Sequence, residues 1–195
     1  MKIAGIILAS GNSRRMGENK YHLPLGKQEV YQYAASLLQD IPVARRFLVT
    51  NDPQMSQYCG KMGIETVANP LAAEGKASSI REGVQAAGEV DGYLFMTADQ
   101  PLVSRETCRK ILKTQEENPD SIIQPVYAGE KGMPVCIPGS YRKALLQLKG
   151  EQGGKTLMTP ENTIPVPIQN GKEHQDIDTA EDYQVLQQWL RESEH

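Results

Sequence analysis

Hydrophobic positions along the chain fall into two alternating patterns. Residues 2–9 form a continuous β-branched and aliphatic run after Lys2, the pattern of a buried strand. Residues 29–39 instead carry Val30, Tyr33, Ala34, Leu37 and Leu38 at helical spacing. A second strand is predicted at 47–50, with Asn51-Asp52-Pro53 turning into another helix. A third strand at 64–68 is broken by Asn69-Pro70, which opens a polar loop through Gly75-Lys76. The next helix puts Ile80, Val84 and Ala87 on one face, and Ser79 with Glu82 reads as its capping box. A fourth strand covers Gly92–Thr97 and stops at Ala98-Asp99-Gln100-Pro101, and Ser104 starts a helix with Cys108, Ile111 and Leu112 inward.

Strands separated by helices in this way build βαβ units, hence an α/β fold with a mostly parallel central sheet and helices on both faces. The second half changes character. Residues 121–128 and 133–138 are extended runs joined by Gly129-Glu130-Lys131-Gly132, a hairpin or loop return. Residues 140–148 read as a helix and 150–159 as a polar loop with a short helix. Thr163–Ile168 carries two prolines and suits a sheet edge. A last helix runs from about 179 to 191, with Tyr183, Leu186 and Leu190 as its stripe. No repeat or linker divides the 195 residues, so one domain over 1–195 is expected.

In an open parallel sheet, ligands bind beyond the carboxyl ends of the strands. Three stretches meet that condition. The first follows strand one: Ser10, Gly11, Asn12 and Ser13, then Arg14, Arg15 and Lys20. Small residues let backbone approach a ligand, and three cations beside them suit a polyphosphate; a surface loop with scattered cations is the alternative. Neither a dinucleotide fingerprint nor a Walker A spacing is present. The second is the loop 69–79. The third is Asp99, placed either to hold a hard divalent cation or simply to close a strand before Pro101. Near the C-terminus, Asp178 or Thr179 can cap the last helix, and Glu181 and Asp182 complement its dipole. Period-two alternation also sends Asp176 and Asp178 to the same side of an extended segment.

Charge and composition narrow the field. A net charge of −3 without a basic tract disfavours nucleic acid and anionic membrane as partners, and no apolar run approaches the length of a membrane span. Cys59, Cys108 and Cys136 are too widely spaced for a metal or redox motif, so reduced, buried thiols in a cytoplasmic protein are expected.

Taken in order, Leu8-Ala9-x-Gly11-x-Ser13-x-Arg15-Met16-Gly17-x-x-Lys20 resembles the signature of the molybdenum cofactor nucleotidyltransferases, within the glycosyltransferase-A-like nucleotidyltransferase superfamily. The resemblance continues through Asn69-Pro70, Gly75, Ser78-Ser79-Ile80-Arg81-x-Gly83, Asp99-Gln100-Pro101, Gly132-x-Pro134-Val135, Leu148-x-Gly150-x-x-Gly153 and Asp176-Ile177-Asp178-Thr179-x-Glu181-Asp182. It implies a three-layer, Rossmann-like fold of the nucleotide-diphospho-sugar transferase type. It also implies transfer of CMP from CTP to the phosphate of molybdopterin, with release of pyrophosphate. Arg15, Lys20 and Asp99 would be catalytic, and Asp99 with Asp178 would hold Mg²⁺, or Mn²⁺ in its place. Leu8, Ala9, Ser10, Gly11, Asn12, Ser13, Asn69 and Ser79 would contact the nucleotide, and Gln100, Met133, Pro134 and Lys155 fall where the acceptor is expected. Ser10, Lys76, Met133, Glu151 and Lys155 depart from the family pattern. The alternatives are GTP in place of CTP, another phosphorylated small molecule as acceptor, or a non-catalytic module that delivers cofactor to a molybdenum hydroxylase.

Overall fold

The computed structural model describes residues 1–10 and 19–193. Its main sheet is built on β1 (Ile3–Leu8), which pairs in parallel with β4 (Arg45–Val49) on one side and β6 (Gly92–Thr97) on the other. β5 (Glu65–Val67) extends the sheet beyond β4, again in parallel. On the far side of β6 comes β9 (Val135–Pro138), which is antiparallel to both β6 and its next neighbour β7 (Ile122–Tyr127). β10 (Thr163–Ile168) closes that edge in parallel with β7, where its two prolines need no ladder partner outside. The strand order is therefore β10-β7-β9-β6-β1-β4-β5. The expected return between these two runs is present as the antiparallel β7–β9 pair, but the stretch read as their connection forms a further strand: β8 (Glu130–Lys131) folds back on β7 through Ala128 and Gly129. A separate two-stranded ribbon joins β2 (Pro24–Leu25) to β3 (Gln28–Glu29).

Alternation along β1 divides the interior into two layers. Ile3 and Ile7 face α1 (Val30–Asp40), α2 (Pro53–Lys61) and α4 (Arg105–Glu117), packing on Ala34, Leu38, Met55, Cys59 and Ile111. Ala4 and Ile6 face α3 (Lys76–Ala87) and α5 (Arg142–Leu146), among Ile80, Val84, Phe95 and Leu145. α3 approaches β1 closely: a Cβ on Gly83 would stand 2.7 Å from Ile6 Cγ2. The last helix, α6 (Ala180–Ser193), buries Leu186 with Leu25, Val30 and Ile177 beside the ribbon. The expected three layers and mostly parallel sheet are thus observed.

The three cysteines are buried and free. Burial pushes the Cys59 thiol up to about 11 and Cys108 to about 12, so both are poor nucleophiles. No described helix is long and apolar enough to cross a membrane.

Candidate active site at the carboxyl edge of the sheet

From β1 the chain crosses to β4 and β5 on one side, then returns to β6 on the other. The reversal opens a crevice between the carboxyl ends of β1 and β6, where Leu8 lies opposite Thr97. Ala9 N–H bonds Val49 O at 2.9 Å, Ala98 N–H bonds Leu8 O at 3.3 Å, and the Thr50 hydroxyl donates to Ala9 O at 3.2 Å. The backbone at the mouth of the crevice is therefore pinned from both neighbours.

On the β5 side stands a cluster of small polar groups. Ser10 Oγ and Ser79 Oγ hydrogen-bond each other, and Asn69 Nδ2 lies 3.0 Å from Ser79 Oγ, 2.9 Å from Ser78 Oγ and 3.3 Å from Ser10 Oγ. Asn69 is fully buried and is held by paired bonds with Asn51: Asn69 N–H to Asn51 Oδ1 at 2.8 Å and Asn51 Nδ2 to Asn69 O at 2.7 Å. The loop 69–79 thus meets the end of β1, as the carboxyl-edge rule requires. The capping box at Ser79 and Glu82 is not formed. α3 starts four residues earlier, because Gly75 rather than Ser79 takes the cap position, with φ +103° and ψ −173°, a conformation essentially reserved for glycine. Gly150 O then accepts from Ala77 N–H at 3.0 Å, so the first turn needs no side-chain cap, and Ser79 lies inside the helix facing Ser10.

The charged half of the site sits at the end of β6. Lys20 begins a short 3-10 turn, Lys20–His22, capped by Asn19, whose Oδ1 accepts from Tyr21 N–H. Its ammonium lies 2.6 Å from Asp99 Oδ2 and 2.9 Å from Asp178 Oδ1. Only 13% of the Lys20 side chain and 17% of Asp99 are exposed, whereas Asp178 is half exposed. Burial alone would weaken the lysine charge, but Asp99 and Asp178 outweigh it and hold the Lys20 pKa well above its ordinary value. The segment bearing Asp178 is docked by Ile177, whose N–H bonds Asp99 O at 3.1 Å and whose side chain is fully buried. Thr179, not Asp178, caps α6: its Oγ1 accepts from Asp182 N–H, while Asp182 Oδ2 accepts from Thr179 N–H at 2.8 Å. That leaves Asp178 available to Lys20. Partial burial, then the charges of Asp99 and Asp178, raise the Asp176 pKa, so a third carboxyl is close to the pair.

The remaining sequence-derived positions are distributed as follows. Gly11, Asn12, Ser13 and Arg15 lie outside the described residues. Gln100 is buried, with its amide engaged at both ends: Thr97 Oγ1 donates to Oε1 at 3.1 Å and Nε2 donates to His174 O at 3.2 Å. Met133 is half-buried and gives its carbonyl to the Tyr127 hydroxyl, Pro134 is buried, and Lys155 is exposed on a 3-10 turn. One cluster is missed by the sequence reading. His22 stands between Glu29 (2.8 Å) and Asp52 (2.7 Å), with its ring edge-on to Tyr31. Although burial opposes it, bonds to Asp52 and Glu29 raise the His22 pKa and so favour an imidazolium. The cluster anchors the turn that carries Lys20. Only the Asp-Pro start of α2 hinted at it, since the three residues come from three separate elements.

Proteins of related sequence and shape bear on this arrangement. The purine catabolism protein PucB of Bacillus subtilis is 26% identical over 94% of this chain and 95% of its own length. The molybdenum cofactor cytidylyltransferase of Escherichia coli is 23% identical over 91% of this chain and 92% of its own length. Among solved structures, Rv0371c from Mycobacterium tuberculosis superposes with a TM-score of 0.83 at 24% identity, covering 96% of this chain and 98% of that one. The same protein has also been solved in complex with manganese (TM-score 0.77, 22% identity, 96% and 99% covered). Residues 5–166 match the family model described as the MobA-like NTP transferase domain. With most of its length, including nearly the whole sheet from β1 to β10, inside that match, the chain belongs to the MobA-like NTP transferase family.

Proposed function

We propose that this protein transfers the CMP moiety of CTP to the phosphate of a molybdopterin-type acceptor, releasing pyrophosphate. The observation that carries the reading is the meeting of Lys20, Asp99 and Asp178, from three separate segments, at the crevice where the strand order reverses. CTP as donor and molybdopterin as acceptor draw on the near full-length relative named molybdenum cofactor cytidylyltransferase.

The chemistry asks little of a base. A phosphate monoester is already ionised near neutrality, so the difficulty is bringing two anions together. An acceptor phosphate oxygen forms a bond to the α-phosphorus as the bond from that phosphorus to the bridging oxygen breaks, and its electron pair leaves with pyrophosphate. Lys20, with Arg15 five positions earlier in the sequence, offsets the charge that grows on the leaving group. The Ser10–Ser79–Asn69 cluster and the backbone from Leu8 to Ser13 hold base and ribose, which leaves the α-phosphate positioned for in-line attack. Gln100, Met133, Pro134 and Lys155 are kept in this reading as the candidate acceptor residues, with Lys155 the exposed one of the four.

Asp99 and Asp178 fit a divalent cation. Both are hard oxygen donors, and a cationic group, the Lys20 ammonium, already lies between them. Mg²⁺ or Mn²⁺ bound there supplies positive charge to the phosphate oxygens. A molybdenum hydroxylase would be the recipient of the finished cofactor in this reading. A cytoplasmic setting accords with the free thiols.

The test is pyrophosphate release by the purified protein with molybdopterin and, in turn, CTP, GTP, ATP and UTP. CTP-dependent release is expected, and Asp99→Ala should lower turnover by about 10²-fold or more with an unchanged circular dichroism spectrum. Full activity of a folded Asp99→Ala variant would remove Asp99 from the mechanism. Release with GTP alone would make this a guanylyltransferase. Binding of CTP without pyrophosphate release for any pterin would make it a delivery module.

A further inference from the structure

Two features of Lys20 bear on how the site is loaded. Its ammonium is shared between Asp99 and Asp178, the two carboxylates assigned above to the divalent cation. Its backbone is fixed independently of that contact, by the Asn19 cap and by His22 bridged to Glu29 and Asp52. A long, flexible side chain on an anchored turn can change partners without moving the chain.

We propose that Lys20 is the internal counter-ion of the metal-free site, so that a divalent cation and the Lys20 ammonium compete for the same two carboxylates and metal entry hands Lys20 to the triphosphate. The inference rests on the metal role given to Asp99 and Asp178. Asp99 and Asp178 lie 2.6 and 2.9 Å from one ammonium, and two carboxylates held that close need a cation to offset their repulsion. Lys20 meets that need until a metal ion arrives. Metal binding without nucleotide must then leave a largely buried ammonium without its anions, which is costly. When triphosphate is present, the released ammonium gains new anionic oxygens. Metal and nucleotide therefore strengthen each other's binding, and reciprocity follows from linkage. The site resists idle loading with metal and closes its charge balance only when both ligands are in place.

The test is a Mn²⁺ titration of the whole nucleotide-free chain, following free Mn²⁺ by electron paramagnetic resonance. Lys20→Met should bind Mn²⁺ about tenfold more tightly than wild type, within the usual range of couplings between sites. Adding Asp99→Asn to Lys20→Met should abolish the gain. Equal or weaker Mn²⁺ affinity in folded Lys20→Met overturns the proposal; if wild-type Mn²⁺ binding still depends on Asp99, the metal reading itself survives. If neither protein binds Mn²⁺ without nucleotide, and a repeat with CTP added shows none bound beyond what CTP itself chelates, both readings are overturned. A second measurement uses the wild-type protein alone. Acetylation of Lys20 by acetic anhydride, read by mass spectrometry, should quicken when Mn²⁺ is added without nucleotide. An unchanged rate at full Mn²⁺ occupancy rules out the exchange.

Discussion

Replacing Gly75 by alanine tests the link between one backbone conformation and the nucleotide side of the site. Gly75 has φ +103° and ψ −173°, and an added Cβ would stand 2.6 Å from Gly150 O and 2.7 Å from Gly150 C. Glu151 Oε1, at 2.5 Å, is the end of an exposed side chain and can swing away, but the Gly150 backbone cannot do so cheaply. Forcing a side chain into this glycine region costs about 1–3 kcal/mol. Pushing Gly150 aside also breaks the bond from Ala77 N–H to Gly150 O, worth about 1 kcal/mol. The loss should therefore be about 2–4 kcal/mol, which leaves most proteins of this size folded. Gly60 provides the control. It lies exposed in α2, and a Cβ added there would meet nothing within 4 Å, so Gly60→Ala should stabilise by about 0.5–1 kcal/mol. Urea denaturation monitored by circular dichroism gives both values, and calorimetry gives CTP affinity. CTP binding should weaken in Gly75→Ala and stay unchanged in Gly60→Ala, because Ser78 and Ser79 ride on the first turns of α3. If Gly75→Ala is as stable as wild type, the claim that this glycine sets the start of α3 is wrong.

Other substitutions probe the two halves of the site separately. Asn69→Ala removes the donors to Ser78 and Ser79 and the acceptor for Leu71 N–H from a fully buried position, and should cost about 1–3 kcal/mol in urea denaturation; a neutral result would show that water replaces the amide. His22 has a raised folded pKa, so its stabilising effect is complete below the unfolded value of 6.5 and is lost as pH rises through the raised folded value. Wild-type stability should fall as pH rises from 6.5 through the raised folded value, and His22→Gln should flatten the slope; parallel profiles for the two proteins would show that the imidazolium does not hold the turn.

The division between what the chain's pattern revealed and what it hid follows the range of the interactions concerned. Strand periodicity placed β1, β4, β5 and β6, because each depends on local alternation and burial. The carboxyl-edge rule then selected Ser10, the 69–79 loop and Asp99 without any knowledge of contacts, since topology alone brings those ends together. Residue spacing misplaced the start of α3. Ser79 and Glu82 have the spacing of a cap, but a glycine at positive φ and the distant carbonyl of Gly150 supply the cap instead. Local spacing cannot detect an acceptor so far along the chain. The His22–Glu29–Asp52 cluster was hidden for the same reason, as its members share neither a helix face nor a strand register.

Asp178 shows how a local signal and a distant one combine. An acidic run before a helix is explained by capping, and capping could have absorbed Asp178 as readily as Thr179. Because Thr179 and Asp182 complete the cap between themselves, Asp178 is released from structural duty. Ile177 fixes the segment against Asp99 through both its N–H and its buried side chain, and the alternation of an extended chain then turns Asp178 toward Lys20. A segment from the far end of the chain thus supplies the second carboxylate by virtue of a neighbouring threonine's cap. Loss of that cap should disturb the charge balance at Lys20 before it disturbs the fold of the sheet.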